Sequence, residues 1–196
     1  MAPPNPFAHS LSVDPDLLSY EQFRERGQVR RFSCGHPSLD AFLNTSEVEE
    51  YEQENLGRTS LVFYNGELVA YYTISSDGLR LEYIAAKKVA GSHVKRGKEV
   101  VETIPSLKIG RLAVQSEWQN KGIGRLLIRR IAAIALSGDS AVRLLIVNAK
   151  SGSIQFYREC GFRLTREVGH ERGRRERTMY LDLLAVEKEI QADGGG

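Results

Sequence analysis

Two glycines at the start of an amphipathic helix pattern are the first residues in this sequence that could do chemistry. They lie in Gln119-Asn120-Lys121-Gly122-Ile123-Gly124-Arg125, and the apolar residues after them recur at helical spacing, at Leu126, Leu127, Ile131, Ile134 and Ala135. The first amides of a helix lack intrahelical acceptors and carry partial positive charge, so they can hold a phosphate where no side chain obstructs it. The segment predicts an anion cradle; the alternative is a glycine-assisted turn that packs a helix on a strand.

The two commonest nucleotide motifs do not explain this cradle. No Gly-Lys-Ser or Gly-Lys-Thr ends a Walker loop, and no third glycine completes the dinucleotide-binding pattern. A second group of residues follows the next predicted strand: Asn148 at its end, then Ser153 and the adjacent aromatic residues Phe156 and Tyr157 in a short helix. Adjacent helical residues point about 100° apart, so one ring can pack while the other faces a cleft. We assign the packing role to Phe156.

The elements that must position these residues alternate between strand and helix. A helix is predicted at 38–55, and Asn65-Gly66 between the β-branched and aromatic runs 59–64 and 68–74 predicts an antiparallel hairpin. The basic segment 85–104 is interpreted as an insertion. The later predicted elements are a strand at 109–114, a helix at 122–137, a strand at 143–148, a short helix at 153–159, and a last hairpin at 162–166 and 178–184.

Three motifs, in this order and separation, resemble those of the GNAT N-acetyltransferase superfamily. They are Arg111-Leu112-Ala113-Val114, Gln-x-x-Gly-x-Gly at 119–124, and Phe-Tyr-x-x-x-Gly-Phe at 156–162. The resemblance covers 105–182 and implies an α/β (α+β) fold: a mixed central sheet, splayed between its two parallel strands and flanked by helices. Residues 32–43 and 70–74 are also similar to the branch of the superfamily that contains tRNA-acetylating toxins.

The resemblance implies acetyl-CoA as cosubstrate and gives roles to particular residues. The segment from Gln119 to Arg125 would hold the pyrophosphate, and the backbone of Leu112, Ala113 and Val114 would pair with the pantetheine arm. The Val114 N–H is a candidate donor to the acetyl oxygen, and Asn148 and Ser153 would lie beside the thioester. No metal ion is expected, since Cys34 and Cys160 have no partners at metal-ligand spacing.

Acetyl transfer by direct attack needs a neutral amine, donors for the developing oxyanion and a proton for the departing thiolate. The matching acid of the family is Tyr157, because a phenol with a pKa of about 10 stays protonated at neutral pH. Glu102, Glu117 and His93 remain open as bases. An α-amine with a pKa of about 8 could need none, which favours α-amino acceptors over lysine.

The acceptor itself is left open, with tRNA as one possible partner. Arginines crowd the last hairpin among interleaved acids, and since the loop has no aromatic residues for base stacking, the pattern favours a solvated charged loop over an RNA surface. These arginines are Arg163, Arg166, Arg172, Arg174, Arg175 and Arg177. Besides acetylation of a primary amine in general, the alternatives are toxin-like acetylation of aminoacyl-tRNA and a non-catalytic acetyl-CoA sensor. The toxin branch also makes a homodimer plausible.

Length and composition agree with one ordinary domain. The chain has 196 residues, 41% of them hydrophobic, and a net charge of +2, which by itself does not indicate nucleic-acid binding. We expect flexible tails at 1–10 and 187–196 around a single domain at 11–186. No apolar run is long enough to cross a bilayer and the N-terminus does not resemble a signal peptide, so we expect no membrane partner and a cytoplasmic location.

Overall fold

The computed structural model describes residues 12–29, 31–80, 84, 103–165 and 176–187. It divides into two compact units that share two long strands and one helix. The first unit takes in the described residues of Phe7–Ser75 and Ile109–Ile131, and the second those of Ser76–Lys108 and Ala132–Gly196. The predicted insertion at 85–104 lies outside the described residues except for its last two, which begin a strand.

The first unit contains an antiparallel group of strands covered by two short helices. Its elements are β1 (Leu18–Gln22), α1 (Pro37–Asn44), α2 (Glu47–Gln53), β2 (Arg58–Tyr64), the first part of β3 (Glu67–Arg80), the end of β4 (Thr103–Val114) and the start of α3 (Ile123–Ser137). The predicted hairpin is confirmed as β2 and β3. Asn65 and Gly66 both have positive φ, 50° and 82°, as a tight two-residue hairpin turn requires.

The single helix predicted at 38–55 is wrong in one respect, because the chain forms two helices there. The backbone at Thr45 is extended, and its hydroxyl accepts a hydrogen bond from the Glu47 N–H at 3.3 Å. Just before it, the Asn44 side chain accepts from the Phe32 N–H at 3.0 Å and donates to the Phe32 carbonyl at 2.6 Å. Threonine and asparagine side chains that bond to the backbone compete with helix continuation. The apolar spacing did not reveal that competition.

The core of the first unit lies between these helices and one face of the strands. It is an aromatic and aliphatic cluster that contains Phe23, Phe32, Phe42, Leu43, Val48, Leu61, Tyr71 and Ala113. Tyr71 stacks on Phe42 and meets Phe32 edge to face, with ring centroids 5.9 Å and 5.1 Å apart. Its hydroxyl donates to the Leu39 carbonyl at 2.8 Å. α1 is therefore fixed to β3 by both apolar packing and a hydrogen bond in its first turn.

The second unit carries the remaining strands and the second predicted site segment. Its elements are β5 (Leu144–Lys150), α4 (Ile154–Glu159), β6 (Arg163–Leu164), β7 (Glu176–Asp182) and a helical segment at 183–187. β5 pairs antiparallel with β7, and β6 pairs antiparallel with β7. The last hairpin is confirmed, although its second strand ends at Asp182 and not at 184. At the end of β7, the Arg143 guanidinium donates two hydrogen bonds to the Asp182 carboxylate, at 2.7 Å and 2.9 Å.

The seven strands have the order β1-β2-β3-β4-β5-β7-β6 in a mixed sheet flanked by helices, with β4 and β5, joined through α3, as its parallel pair. This confirms the fold class expected from the sequence. The helix predicted at 122–137 is confirmed as α3, but its buried stripe is Ile123, Leu127, Ile128, Ile131, Ala132 and Ala135. Within the described ranges, no helix is long and apolar enough to cross a membrane.

Candidate active site

The predicted anion cradle forms the entry to α3 in the first unit. Asn120 and Gly122 have positive φ, 61° and 90°, and the Gly122 carbonyl accepts from the N–H groups of Arg125 and Leu126 at 3.0 Å and 3.2 Å. The helix therefore begins at Ile123, and the N–H groups of Ile123 and Gly124 precede the first residues that can find an intrahelical acceptor. Ile123 turns its side chain into the core, and Gly124 has none. The backbone donors at this helix entry fit an anionic ligand such as a pyrophosphate.

Gln119 contributes to this site by tying two segments together. Its side-chain amide donates to the Cys34 carbonyl at 2.8 Å and to the Val114 carbonyl at 3.0 Å. The Ser116 N–H and hydroxyl both bond to the Ser33 carbonyl, at 2.9 Å and 3.1 Å. The turn after β4 is thus held against the segment before α1. The sequence placed Gln119 in the cradle but gave no sign of this positioning contact.

Lys121 and Trp118 form a second feature of the same turn that the sequence did not reveal. The Lys121 ammonium lies 4.4 Å from the centre of the Trp118 ring, which packs on Tyr64 with centroids 4.9 Å apart. The indole N–H donates to a Glu67 carboxylate oxygen at 3.1 Å. A cation–π contact of this kind restrains a lysine without neutralising it. The ammonium is therefore held in the cradle segment while keeping its charge for a ligand.

At the end of β4, the backbone N–H and carbonyl of Val114 point away from the neighbouring strand β3. The Gln115 N–H donates to the Val69 carbonyl of β3 at 2.8 Å. Because successive peptide groups of a strand point to opposite sides, the N–H and carbonyl of Val114 point away from β3. Ala113 is buried, whereas Leu112 and Val114 are half-buried. This orientation suits a hydrogen bond from Val114 to an extended ligand.

The second unit carries the other predicted site residues. Asn148 is exposed on β5, and its side-chain oxygen accepts from the Thr178 hydroxyl of β7 at 3.1 Å. That bond fixes the orientation of the amide and turns its NH₂ group, a donor, the other way. Ser153 is half-buried directly before α4. The predicted roles of Asn148 and Ser153 beside a thioester stay predictions.

Tyr157 is more deeply buried than its predicted role suggested. Its side chain is only 6% exposed, and its ring meets Phe156 and Phe162 edge to face, with centroids 5.1 Å and 5.3 Å apart. Burial, and secondarily the neighbouring Cys160, raises the pKa of its hydroxyl above the ordinary value of a phenol. The assignment of the packing role to Phe156 is wrong, because Tyr157 is the ring that turns inward, while Phe156 is only half-buried. The geometry keeps the phenol protonated, and its role as an acid stays a prediction.

Of the remaining residues that the sequence suggested, some lie in the described part of the chain and others do not. Glu117 lines a cleft of about 360 Å³ with Arg31, Ser33, Gln115 and Ser116, all in the first unit. The other candidate bases, Glu102 and His93, lie outside the described residues, as do Arg166, Arg172, Arg174 and Arg175. In the described ranges, no three His, Cys, Asp or Glu side chains converge on a possible metal site.

The chain is similar to known proteins over most of its length. Residues 59–164 match the family model of the acetyltransferase (GNAT) domain. A tRNA-acetylating toxin of Mycobacterium tuberculosis (strain ATCC 25618 / H37Rv) is 28% identical over 123 residues, which are 62% of this chain and 69% of the toxin. The solved complex of AtaT with acetyl-methionyl-tRNAfMet matches with a TM-score of 0.67 and 20% identity, over 88% of this chain and 99% of that one.

A second solved structure shows the same fold with other ligands. It is a tyrosine-to-phenylalanine mutant of the toxin AtaT bound to the C-terminus of the antitoxin AtaR and to acetyl-CoA. It matches with a TM-score of 0.64 and 21% identity, over 89% of this chain and 99% of that one. At these identities the two structures support the fold of this chain.

Proposed function

This chain belongs to the GNAT acetyltransferase family, and from that premise we propose that it transfers the acetyl group of acetyl-CoA to the α-amine of an aminoacyl-tRNA. The observation that supports acetyl-CoA as the cosubstrate is the entry to α3, where Ile123 turns its side chain into the core and Gly124 has none, so neither covers its own N–H group. A pyrophosphate suits these donors, because the helix dipole adds partial positive charge to them.

When bound, acetyl-CoA supplies an activated acetyl group. The backbone of Val114, which points away from β3, would donate its N–H to the acetyl oxygen and stabilise the negative charge that develops there. The Asn148 NH₂ group, oriented by Thr178, would add a polar contact beside the thioester. Lys121, restrained over Trp118, would contribute a positive charge near the phosphates.

Tyr157 would donate the proton that the departing thiolate needs. Burial raises the pKa of its hydroxyl, so the phenol remains a proton donor throughout the neutral range and cannot act there as a base. An α-amine has a pKa of about 8, so a usable fraction is neutral near that pH without a dedicated base. This combination favours an α-amino acceptor over a lysine side chain.

The acceptor is suggested by the proteins that this chain resembles. The matched mycobacterial protein is a tRNA-acetylating toxin, and the AtaT complex contains an acetylated aminoacyl-tRNA. Both proteins support an aminoacyl ester as the acceptor here. An antitoxin partner, as in the AtaR complex, is part of the same proposal.

The test is acetyl transfer from radiolabelled acetyl-CoA to a pool of aminoacylated tRNA. We expect label to enter the tRNA fraction and to leave it as an N-acetyl-amino acid after mild alkaline hydrolysis of the ester. Deacylated tRNA and free lysine serve as acceptor controls, and a Gly124→Glu enzyme serves as the control for cosubstrate binding. Label that appears equally on deacylated tRNA, or only on lysine, contradicts the proposed acceptor.

A further inference from the structure

Arg111 in the first unit has an environment that acetyl-CoA binding does not explain. Its guanidinium carbon lies 3.7 Å from the centre of the Phe42 ring and 5.0 Å from that of Tyr51. These two rings meet edge to face with centroids 5.5 Å apart. In the described part of the chain, Arg111 makes no ion pair with a carboxylate. Two aromatic rings thus position a cation whose charge is not neutralised.

Among the described residues, the Arg111 guanidinium meets no hydrogen-bond acceptor, so its donors are available to a ligand. A cation–π contact uses the face of the guanidinium, while its N–H donors point outward in the plane. An arginine held in this way presents a planar fork that matches the oxygens of a phosphate or carboxylate. The Phe42 side chain is fully buried in the core, so the platform under the guanidinium is rigid.

Tyr51 is itself held in place by close packing against β4 at Gly110, the residue before Arg111. The Thr73 hydroxyl is buried and has no hydrogen-bond partner among the described residues. Gly110 is exposed, and a β-carbon there would lie 2.8 Å from the Thr73 hydroxyl oxygen and 3.4 Å from the Tyr51 hydroxyl oxygen. These two hydroxyl groups therefore already occupy the space over Gly110, which explains why that position is glycine. The close packing holds Tyr51, and with it the second ring beside the Arg111 guanidinium.

We propose that Arg111, positioned by Phe42 and Tyr51, forms the part of the acceptor site that binds the phosphodiester next to the amine-bearing nucleoside. The amino acid of an aminoacyl-tRNA is an ester and has no carboxylate, so the terminal phosphodiester is the nearest anion to its amine. Arg111 precedes Val114 by three residues, about 10 Å along a strand. An extended aminoacyl ester and its ribose can bridge that span. This inference rests on the proposed function, and it assigns to Arg111 the recognition of the acceptor.

The test compares two acceptors that differ by one phosphodiester. Puromycin carries an α-amine on an aminoacyl nucleoside and has no phosphate; cytidylyl-puromycin joins the same nucleoside to a cytidine through a phosphodiester. We expect the wild-type enzyme to prefer cytidylyl-puromycin. We expect Arg111→Gln to lower kcat/KM for it by about 10- to 100-fold, as for a lost charge-assisted hydrogen bond, with much less effect on puromycin.

Two further variants separate recognition from folding. Arg130→Gln is the matched control, because the Arg130 guanidinium also lies 3.7 Å from an aromatic ring centre, that of Tyr20, and we expect it to leave both acceptors unaffected. Arg111→Lys keeps the positive charge and is expected to restore part of the phosphodiester preference. Acetyl-CoA affinity, measured by calorimetry, should be the same in the wild-type enzyme and all three variants.

The outcomes distinguish this inference from the function on which it rests. Equal loss on both acceptors in Arg111→Gln, or no phosphodiester preference in the wild-type enzyme, overturns the role of Arg111 and leaves the acetyltransferase activity standing. Failure of the wild-type enzyme to bind acetyl-CoA instead contradicts the proposed function. A selective loss on cytidylyl-puromycin, with partial rescue by lysine, supports the phosphodiester site.

Discussion

Replacing Tyr157 with phenylalanine tests the proposed acid with little change to the fold. The substitution removes one hydroxyl and keeps the ring, so the edge-to-face contacts with Phe156 and Phe162, at 5.1 Å and 5.3 Å, remain. We therefore expect the free energy of unfolding to change by about 1 kcal/mol or less. Loss of a general acid costs about a hundredfold to ten-thousandfold in kcat, or about 3 to 5 kcal/mol in the barrier.

The pH dependence of this effect follows from the raised pKa of Tyr157. An ordinary phenol with a pKa of about 10 is already about 99% protonated at pH 8, and burial raises the pKa of Tyr157 further. The acid is thus fully protonated from pH 7 to pH 9. We expect the ratio of wild-type to variant kcat to stay constant across that range.

The assay is release of free CoA thiol during acetylation of an aminoacyl acceptor, together with acetyl-CoA affinity by calorimetry and a thermal melt. Tyr180→Phe is the matched control, because Tyr180 is also buried, at 2% exposure, and burial also raises its pKa, yet it lies in the core around β5 and β7. A Tyr157→Phe enzyme that binds acetyl-CoA normally and keeps kcat within about threefold of wild type would refute the acid role, since general-acid loss should cost far more.

Three further predictions concern the cradle, the packing and the tyrosines. Gly124→Glu should abolish acetyl-CoA binding in calorimetry, because a carboxylate would occupy the anion position, whereas Gly138→Glu beyond the other end of α3 should not; unchanged affinity in the first variant would exclude this site. Gly57→Ala should lower the free energy of unfolding by about 1 to 3 kcal/mol in urea, because its β-carbon would lie 2.7 Å from the Ile74 carbonyl oxygen. Stability should fall above about pH 10, where unfolded phenols ionise, because four buried or half-buried tyrosines have raised pKa values and stay protonated in the folded chain; a urea midpoint that is unchanged at pH 11 would contradict this. These tyrosines are Tyr20, Tyr71, Tyr157 and Tyr180.

Features that depend on short-range backbone chemistry were predictable from the sequence. Asn65-Gly66 specified its hairpin because both residues tolerate positive φ, and the glycines at 122 and 124 located the entry to α3. The break between α1 and α2 was missed, because it depends on the Asn44 side chain meeting Phe32, twelve positions earlier in the chain. Apolar periodicity carries no information on such a contact.

Tertiary contacts account for what the sequence could not indicate at the site. The double role of the Gln119 amide depends on Cys34, which is remote in sequence. The position of the Arg111 guanidinium depends on two aromatic rings, and these belong to two separate helices. The burial of Tyr157 depends on Phe162, which the motif contains, but helical geometry alone did not tell which of the two adjacent rings turns inward. Strand position identifies a candidate residue, while its neighbours determine its chemistry.

The pair of hydrogen bonds between Asn44 and Phe32 has a consequence for how freely this region can vary. One carboxamide at position 44 satisfies both the N–H and the carbonyl of Phe32, as a partner strand would. Aspartate offers no donor, glutamine is one methylene longer, and leucine has the right size but neither polar function. Randomising this codon in a library should therefore return asparagine almost alone, even though the position lies at a helix end where many residues are usually accepted.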